Sequence, residues 1–400
     1  MRVAVDAHAV AQPSAGDAGN ARWIENFIHA LTTTADAGDE VCAMVAHAAA
    51  EQRIDPGVPL LQVGEANMRR LTWGAPRAME RAHADVGVFN YVVPFRGRTP
   101  SAVVVHDAAF ITNPEWFSRR DKLVLGKLVP SAVRRAKIVI AVSNTEGTQI
   151  ADALDIDPAR IHVVRTYPAP VFTPDPSGTA ASRVHERWGL SRYVLAVGDI
   201  HPRKNIGALA QALQQLGDPR LELALVGRPA LGGEQIVAGA NARWLGRVSD
   251  EELADLYRAA TVVAVPSLYE GFGLPILEAM ACGAPTVASS RGAMPEVAGE
   301  GAIVADPTPD ALADAIREAL DPVMADRLRT AGPVQAGTFT PDAMGRAGWD
   351  ALRMVTSRRS RSSAPGVSPR PTPALKPPCS TLLSSSPSAV TRWWCTAAPT

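Results

Sequence analysis

The sequence predicts an α/β protein made of two Rossmann-like domains that face each other across a cleft. Short runs of β-branched residues alternate with longer Ala- and Leu-rich stretches of helical pattern, as in parallel sheets covered by helices. The alternation stops at 173–182, where Pro, Gly and small polar residues indicate a linker, and then starts again. A length of 400 residues and a hydrophobic content of 46% are sufficient for two domains with separate cores.

The first half of the chain contains a series of short apolar runs, each of the length of one strand. The residues between them carry helical patterns, so consecutive strands are expected to lie parallel in one sheet. We therefore predict an N-terminal Rossmann-like domain over 1–172. Its predicted strands are 2–7, 40–46, 86–90, 101–107, 137–143 and 161–165.

The same rhythm returns in the second half and predicts a C-terminal Rossmann-like domain over 183–341. Helical segments such as "NIGALAQALQQL" and "PDALADAIREALD" fit between its strands. Residues 342–356 are predicted to form a closing helix. The predicted strands of this domain are 193–199, 221–227, 242–246, 261–267, 285–290 and 301–306.

The tail at 357–400 differs in composition from everything before it. Pro, Ser and Arg crowd this segment and no apolar periodicity is present, so a disordered low-complexity tail is expected. Two origins remain open for it. It is either an authentic disordered tail or the product of a shifted reading frame in a GC-rich gene.

Composition excludes several classes of protein. Lys and Arg together number 40, as do Asp and Glu, but six of the basic residues and none of the acidic ones lie beyond residue 356. The remaining 34 basic residues against 40 acidic ones argue against a nucleic-acid binder. Four cysteines without paired spacing predict neither a zinc site nor a disulfide framework, and no apolar run reaches the ~18 residues of a membrane span. The start "MRVAVDAHAV" is typical of a first strand rather than a signal peptide, so a cytoplasmic protein is expected.

The segment "PSLYEGFGLPILEAMACG" carries two glutamates, one in a loop after a predicted strand and one in the helix that follows. Gly271 and Gly273 allow backbone N–H groups to approach a ligand closely, because neither has a Cβ. The N-terminus of the helix adds unpaired donors and a positive dipole end, which suit a phosphate. Glu278 and Glu270 could then hold hydroxyl groups at opposite ends of one ligand. A nucleotide sugar has these groups, because it carries hydroxyl groups at both ends and a diphosphate between them.

A second segment, "VGDIHPRKN", brings two cations to the end of another predicted strand. The strand ends at Gly198, a candidate donor-binding residue, and the following loop delivers Arg203 and Lys204 just before a helix. A guanidinium beside an ammonium suits a diphosphate leaving group. A solvated Arg–Lys pair at a helix start is the alternative. The glutamate pair on the same predicted cleft favours the phosphate-binding interpretation.

Taken together, "GDIHPRKN" and the E-x7-E segment "EGFGLPILEAMACGAPTVAS" resemble the family-4 retaining glycosyltransferases of the GT-B fold. The resemblance extends over residues 1–356. The segments "VHD" and "PEWFS" are most similar to the bacterial mannosyltransferase-like branch found in polysaccharide assembly. The resemblance to this family implies that Arg203 and Lys204 bind the donor diphosphate, that Glu278 holds the ribose and that Glu270 contacts the transferred sugar. It also assigns sugar and phosphate contacts to the backbone amides of Phe272, Gly273 and Leu274.

Further positions follow from the same resemblance. His106 is placed beside the reacting carbon, with Asp107 on the acceptor side; without the family context, a strand-terminal histidine bonded to nearby backbone would be the simpler interpretation. Gly16 and Gly19 correspond to a glycine loop that borders the donor phosphate or the acceptor, although any turn there favours glycine. The nucleobase is expected near Gly227, Arg228 and 246–252.

The implied activity is a cytosolic, retaining hexosyltransferase that needs no metal and no cofactor beyond its nucleotide-sugar substrate. The implied sugar is a hexose, with mannose as the candidate, and the implied acceptor is a glycan or a lipid-linked molecule. No covalent nucleophile is identified, so front-side attack assisted by the leaving phosphate is the expected route. The basic segment 116–137 could rest on an anionic membrane or form a solvated helical face.

Departures from the family pattern fall on the acceptor side. The family's usual Asn-Gly pair is absent from 166–172, "TYPAPVF", and the glycine loop "SAGDAGN" is sparse. Two alternatives therefore stay open. The first is a GT-B nucleotide-sugar epimerase, against which the E-x7-E segment weighs, and the second is a non-catalytic sugar-nucleotide binder.

Overall fold

In the computed structural model of the protein, the strands form two separate parallel sheets. The structure describes residues 1–10, 18–199, 201–228 and 241–361, without the side chains of 18, 48 and 357–361. The described residues belong to one compact unit that ends at Arg361. We call the first sheet with its helices the N-terminal lobe and the second sheet with its helices the C-terminal lobe.

The N-terminal lobe contains a seven-stranded parallel sheet in the described part of the chain, in the order β3-β2-β1-β4-β5-β6-β7. The central strands are buried on both faces, as expected for a sheet covered by helices. A short strand at Leu60–Gln62 was not predicted, because three residues carry too little periodicity. The strands are β1 (Arg2–Asp6), β2 (Glu40–Val45), β3 (Leu60–Gln62), β4 (Val86–Asn90), β5 (Ser101–Val105), β6 (Ile138–Ala141) and β7 (Ile161–Val163).

The C-terminal lobe repeats this topology with a six-stranded parallel sheet among the described residues, in the order β10-β9-β8-β11-β12-β13. Most predicted strands extend one or two residues too far at their carboxyl ends. These residues, among them Gly198, Asp199, Pro266 and Ser267, leave the sheet and begin the loops at its carboxyl edge. The strands are β8 (Tyr193–Val197), β9 (Glu222–Val226), β10 (Ala242–Gly246), β11 (Val262–Val265), β12 (Thr286–Ser289) and β13 (Ile303–Ala305).

The helices cover both sheets. None of those within the described ranges is long and apolar enough to span a membrane. The N-terminal lobe has α1 (Ala18–Thr33), α2 (Asn67–Arg69), α3 (Ala75–Arg81), α4 (Ala109–Thr112), α5 (Arg119–Arg135) and α6 (Asn144–Leu154), with a π-helical turn at Arg70–Gly74 and 3-10 turns at Ala48–Gln52, Pro114–Trp116 and Pro158–Arg160. The C-terminal lobe has α7 (Ala180–Trp188), α8 (Ile206–Leu216), α9 (Asp250–Ala259), α10 (Leu274–Ala281), α11 (Met294–Ala298), α12 (Pro309–Ala319) and α13 (Pro322–Ala336), with a 3-10 turn at Pro202–Lys204.

The closing helix, α14 (Pro341–Arg361), returns to the N-terminal lobe and packs along α1. Trp349 is fully buried there, and its indole N–H donates to the carbonyl of Leu31 at 3.1 Å. Gly348 lets the helices approach, since a Cβ at this position would lie 2.6 Å from the Phe27 ring. The helix continues to Arg361, five residues beyond the predicted end of the closing helix at 356. The rest of the predicted tail, 362–400, lies outside the described residues.

Strand order determines where a ligand can bind. In each sheet the order in which strands are added reverses between two neighbouring strands. These are β1 and β4 in the first lobe and β8 and β11 in the second. Ligands of doubly wound sheets bind in the crevice outside the carboxyl ends of the strands at such a switch point. The loop after β8 carries Arg203 and Lys204, and the loop after β11 carries Glu270. The topology therefore brings the predicted donor residues to one edge of the sheet.

Candidate active site

The centre of the site is an ion pair between the two loops at the switch point of the C-terminal lobe. The Lys204 Nζ lies 2.6 Å from the Glu270 Oε1, and the Ser267 hydroxyl donates to the same oxygen at 2.8 Å. Arg203 lies beside them, with its Nη1 3.4 Å from the Asp107 Oδ2 of the N-terminal lobe. The 3-10 turn at Pro202–Lys204 gives both cations their position.

Charge dominates the protonation state of this cluster. Burial alone would raise the pKa of the Glu270 carboxyl, but Lys204 and Arg203, together with the Lys204 and Ser267 hydrogen bonds, lower that pKa to about 2. Burial raises the pKa of Asp107, and the charge of Arg203 opposes this shift. Glu270 is therefore ionised at neutral pH. An ammonium can donate three hydrogen bonds, so Lys204 can hold Glu270 and still bind a phosphate oxygen.

Two glycines at strand ends make room for this arrangement. Gly198 has φ +132°, and a Cβ there would lie 2.9 Å from the Cε of Lys204. Gly227 has φ +135°, and a Cβ there would lie closer than 3.0 Å to the carbonyl of Gly198. Next to it, Arg228 is held by Asp199, whose Oδ2 lies 2.9 Å from the Arg228 Nη2. These glycines therefore support the cationic loop by close packing.

Helix α10 begins at the same place. Gly273, at φ +99°, precedes the helix and has no side chain to cap it. The Phe272 ring is buried and packs edge-on against Phe339, with ring centroids 5.7 Å apart, so a ligand contact from this residue would use the backbone. Leu274 opens the helix, and a Cβ on Gly19 of the N-terminal lobe would meet its Cδ1 at 3.9 Å. Gly16, the other predicted loop glycine, lies outside the described residues.

Glu278 lies one turn further into α10 and is only 5% exposed. The hydroxyl of Tyr257 donates to its Oε2 at 3.1 Å. Burial raises the pKa of Glu278 to about 7, although the charge of Arg22 and the Tyr257 hydrogen bond oppose that shift. Arg22 comes from α1 of the other lobe, and its Nη2 lies 2.6 Å from the Asp250 Oδ1. A cation from the N-terminal lobe thus stands near the predicted ribose carboxylate.

His106 follows β5 in the N-terminal lobe. Its Nε2 lies 2.7 Å from the Asn90 Oδ1, and its ring packs edge-on against Trp23 and at a tilt against Tyr91. Burial lowers the pKa of His106 to about 3, so its imidazole is neutral at physiological pH. Its backbone faces the other lobe, because the carbonyl of His106 packs against the Cα of Gly271.

The two lobes meet directly around the site. A Cβ on Gly271 would lie closer than 3.0 Å to the His106 carbonyl oxygen, and the carbonyl of Gly271 accepts a hydrogen bond from the Ser143 hydroxyl at 2.8 Å. The Nε2 of His201, in the C-terminal lobe, lies 3.1 Å from the carbonyl oxygen of Trp116 in the N-terminal lobe. Asp107 and Arg203 add a charged contact across the same boundary.

Glu296, at the start of α11, joins the lobes beside the site. Its carboxylate accepts from the amides of Asn144 and Thr145 at 3.1 and 3.0 Å, the first two residues of α6 in the other lobe. Arg165 pairs with it at 2.7 Å. The amides at a helix N-terminus attract anions, and here the anion comes from the opposite lobe.

The sequence analysis missed several residues that contact the predicted ones. The sequence patterns assigned no chemical role to Tyr257, Asn90, Arg22 or Glu296. Each becomes significant only through a contact that is distant in the sequence. Within the described ranges, no group of three or more His, Cys, Asp or Glu has the geometry of a metal site.

Comparison with known proteins identifies the family. Residues 191–322 match the family model described as "Glycosyl transferases group 1". The O-antigen chain mannosyltransferase B of Escherichia coli is 33% identical over 265 residues, which cover 63% of this chain and 69% of that protein. The chain belongs to the group 1 glycosyltransferases. The matched range contains Arg203, Lys204 and both glutamates of the E-x7-E segment.

Other relatives of this glycosyltransferase match shorter parts of their own length. The MMP alpha-(1->4)-mannosyltransferase of Mycolicibacterium hassiacum is 35% identical over 176 residues, or 42% of this chain and 40% of that protein. A D-inositol 3-phosphate glycosyltransferase of a Nocardioides species is 32% identical over 252 residues, or 55% of this chain and 54% of that protein. The chain thus spans about half the length of these two relatives or less.

Solved structures confirm the fold of the glycosyltransferase as GT-B. Sucrose-phosphate synthase from Thermosynechococcus elongatus superposes with a TM-score of 0.67 at 21% identity, over 91% of this chain and 99% of that one. Anabaena Alr3699/HepE, in a complex with UDP and glucose, gives 0.67 at 20% identity, over 88% of this chain and 99% of that one. The prediction of two Rossmann-like sheets in one α/β protein is therefore confirmed.

Proposed function

We propose that this glycosyltransferase transfers a hexose, with mannose as the candidate, from a nucleoside-diphosphate sugar to a glycan or lipid-linked acceptor, with retention of anomeric configuration. One observation carries the proposal. Arg203, Lys204 and Glu270 lie together at the switch point of the C-terminal lobe, with the N-terminus of α10 beside them. The mannosyltransferase relatives support the choice of sugar.

The chemistry follows from where charge develops. Breaking the bond between the sugar and the phosphate builds positive character on the anomeric carbon and negative character on the diphosphate. Arg203, Lys204 and the α10 dipole are placed to stabilise the diphosphate, and fixed charges of this kind give a large part of enzymatic rate enhancement. Two side-chain cations can neutralise the negative charge of the leaving diphosphate, which a divalent metal neutralises in other transferases. We therefore propose transfer without a metal.

Retention is assigned to front-side attack. In this step the acceptor hydroxyl oxygen forms a bond to the anomeric carbon as the bond to the diphosphate oxygen breaks, and the hydroxyl proton passes to that leaving oxygen. Glu270 is ionised but held by Lys204 and Ser267, which suits it to bind sugar hydroxyls. His106 is neutral and lies at the boundary of the lobes, where it can hydrogen-bond the sugar without opposing the positive charge on carbon.

A donor screen tests the proposal. The purified protein is heated with UDP-, GDP- and ADP-sugars, and a ligand at 100 times its dissociation constant should stabilise it by about 2.7 kcal/mol. The donor that binds is then incubated with EDTA and a candidate acceptor, and the anomer formed is identified by NMR. Binding followed by transfer with retention supports the proposal. Binding without turnover would instead indicate a non-catalytic binder, and an altered sugar still attached to its nucleotide would indicate an epimerase.

The affinity for the donor should depend on pH through Glu278. Its pKa of about 7 lies above the ordinary value, so the carboxyl is protonated at pH 6 and ionised at pH 8. Ribose hydroxyls donate more strongly to a carboxylate than to a carboxylic acid. The dissociation constant of the nucleotide sugar should therefore fall by about tenfold between pH 6 and pH 8, in step with the ionised fraction.

Calorimetric titrations at four pH values measure this effect. The diphosphate of a nucleotide sugar is esterified at both ends and does not titrate in this range. Glu278→Gln should bind more weakly at pH 8 and show no pH dependence, whereas Glu318→Gln, on the exposed face of α12, should follow the wild type. An unchanged slope in Glu278→Gln would contradict the assignment of this residue to the ribose.

We also propose that α5 contacts an anionic membrane surface. Leu123 and Val124 are 59% and 42% exposed, and basic side chains flank them along the helix. Apolar residues beside cations are typical of helices that lie in a lipid interface. The protein should float with vesicles that contain phosphatidylglycerol but not with phosphatidylcholine vesicles, and Leu123→Ser should weaken flotation severalfold. Equal flotation of the variant would argue for a solvated helical face.

A further inference from the structure

The pattern S-x-x-E occurs before two helices of this protein but produces two different structures. In a capping box, the serine accepts from the third amide of the helix, and the glutamate reaches back to the serine amide. Ser249 and Glu252 form both bonds, at 3.2 and 2.9 Å. Ser143 accepts from the Glu146 amide at 3.0 Å, but the Glu146 carboxylate points elsewhere.

The carboxylate of Glu146 lies between the two lobes. Its Oε1 accepts from the amide of Ala108 at 2.7 Å, in the segment that follows His106. The hydroxyl of Tyr269, immediately before Glu270 in the other lobe, lies 2.9 and 2.7 Å from its two oxygens. One side chain therefore contacts the segment of the predicted catalytic histidine and the segment of the predicted sugar-binding carboxylate.

Helix capping does not explain this position. The first two amides of α6 are already bound by Glu296 from the C-terminal lobe, and the third is bound by Ser143. Ser143 also donates across the boundary, to the carbonyl of Gly271. Both members of the Ser143–Glu146 pair thus form contacts between the lobes.

The location of Glu146 is costly, which argues for a specific role. The residue is fully buried, and a buried carboxyl group is stable only where hydrogen bonds satisfy its oxygens. Burial raises the pKa of Glu146 to about 8; the hydrogen bonds of Tyr269 and Ala108 oppose the shift, and the charge of Asp107 adds to it. Gln149 is the other polar neighbour, 2.6 Å from the Tyr269 hydroxyl.

We propose that Glu146 is a positioning residue for glycosyl transfer. By binding Ala108 and Tyr269 at once, it fixes the spacing between the His106 segment and Glu270 when the lobes are together. The inference rests on the proposed function, because it assumes that these two segments hold the sugar from opposite sides. Glu146 itself would touch neither donor nor acceptor.

Three variants test this role. Glu146→Ala should lower kcat by about 10- to 100-fold, since small misplacements of reacting groups cost that much, while the nucleotide-sugar Kd changes less than threefold. Glu146→Gln keeps an oxygen for the Ala108 amide and the Tyr269 hydroxyl and should recover most of the rate. Tyr269→Phe should lower kcat, and adding it to Glu146→Ala should cause no further loss. The control Asp321→Ala, which removes the exposed cap of α13, should lower stability without changing kcat.

Hydrogen exchange gives a readout that needs no activity. The amide of Ala108 should exchange at least about tenfold faster in Glu146→Ala, and at the wild-type rate in Glu146→Gln and Asp321→Ala. Should the wild type prove inactive, the proposed function fails, and this measurement alone decides whether Glu146 joins the segments. The inference is overturned if kcat per folded molecule of Glu146→Ala stays within twofold of wild type, or if Ala108 exchange is unchanged.

Discussion

Replacing Lys204 with alanine is expected to lower kcat by about 10²- to 10³-fold, the usual cost of removing one group that stabilises developing negative charge. The variant loses the ammonium placed to bind the leaving diphosphate. It also leaves the carboxylate of Glu270, only 8% exposed, without its 2.6 Å partner. Steady-state kinetics with the donor from the screen measure the loss, and slow hydrolysis of the donor should disappear with transfer.

A second variant separates chemistry from stability. A buried charge without its partner destabilises a protein by several kcal/mol, so Lys204→Ala alone should also melt earlier. The double variant Lys204→Ala/Glu270→Gln also removes the unpaired negative charge of Glu270. It should therefore recover thermal stability without recovering kcat. Arg327→Ala, which removes an exposed cation of the same lobe, should leave both unchanged. Activity of Lys204→Ala within fivefold of wild type would contradict the assigned role.

Gly271→Ala is the second substitution from which a large effect is expected. Its added methyl would lie closer than 3.0 Å to the carbonyl oxygen of His106, in backbone that cannot rotate away. The lobes would have to separate, or the loop that carries Glu270 would have to move by about 1 Å. Displacements of this size cost about 100-fold in rate, so kcat should fall by that factor.

Binding measurements show whether Gly271→Ala affects the transfer step or the binding of the nucleotide. Arg203, Lys204 and Glu278 all lie in the C-terminal lobe, so the nucleotide Kd of Gly271→Ala should change much less than kcat. Gly126→Ala is the matched control, because a Cβ at that exposed position in α5 meets nothing within 4 Å. It should leave kcat unchanged and stabilise the helix slightly. Equal activity of the two alanine variants would show that the contact between the lobes is not needed for transfer.

The sequence was sufficient to predict the fold and the loops that carry the candidate site, for physical reasons. Parallel strands buried on both faces need apolar runs of fixed length, and their carboxyl ends must meet at one edge. Because Arg203, Lys204 and Glu270 directly follow two such runs, the rule is enough to place them at the ends of β8 and β11. The strand β3 was not predicted because its three residues are fewer than the four to eight over which a strand pattern can be recognised.

The partners of these residues could not be predicted. Lys204 and Glu270 are 66 positions apart, and nothing local in the sequence indicates that they pair. Glu146 has the sequence signature of a helix cap, and only the presence of the other lobe shows that its carboxylate is used elsewhere. The first contact depends on how two loops approach each other at one edge of the C-terminal sheet, and the second depends on how the two lobes meet. Local periodicity encodes neither geometry.

The return of α14 to the N-terminal lobe also has a consequence for biosynthesis. Trp349 and Gly348 complete the surface of α1, which the ribosome produces more than three hundred residues earlier. Until α14 emerges, the nascent N-terminal lobe exposes the apolar face formed by Phe27 and Leu31. Contacts between distant parts of a chain form late, and unfinished surfaces of this kind are recognised by chaperones. The second lobe can therefore finish folding before the first, in the reverse of the order in which they are translated.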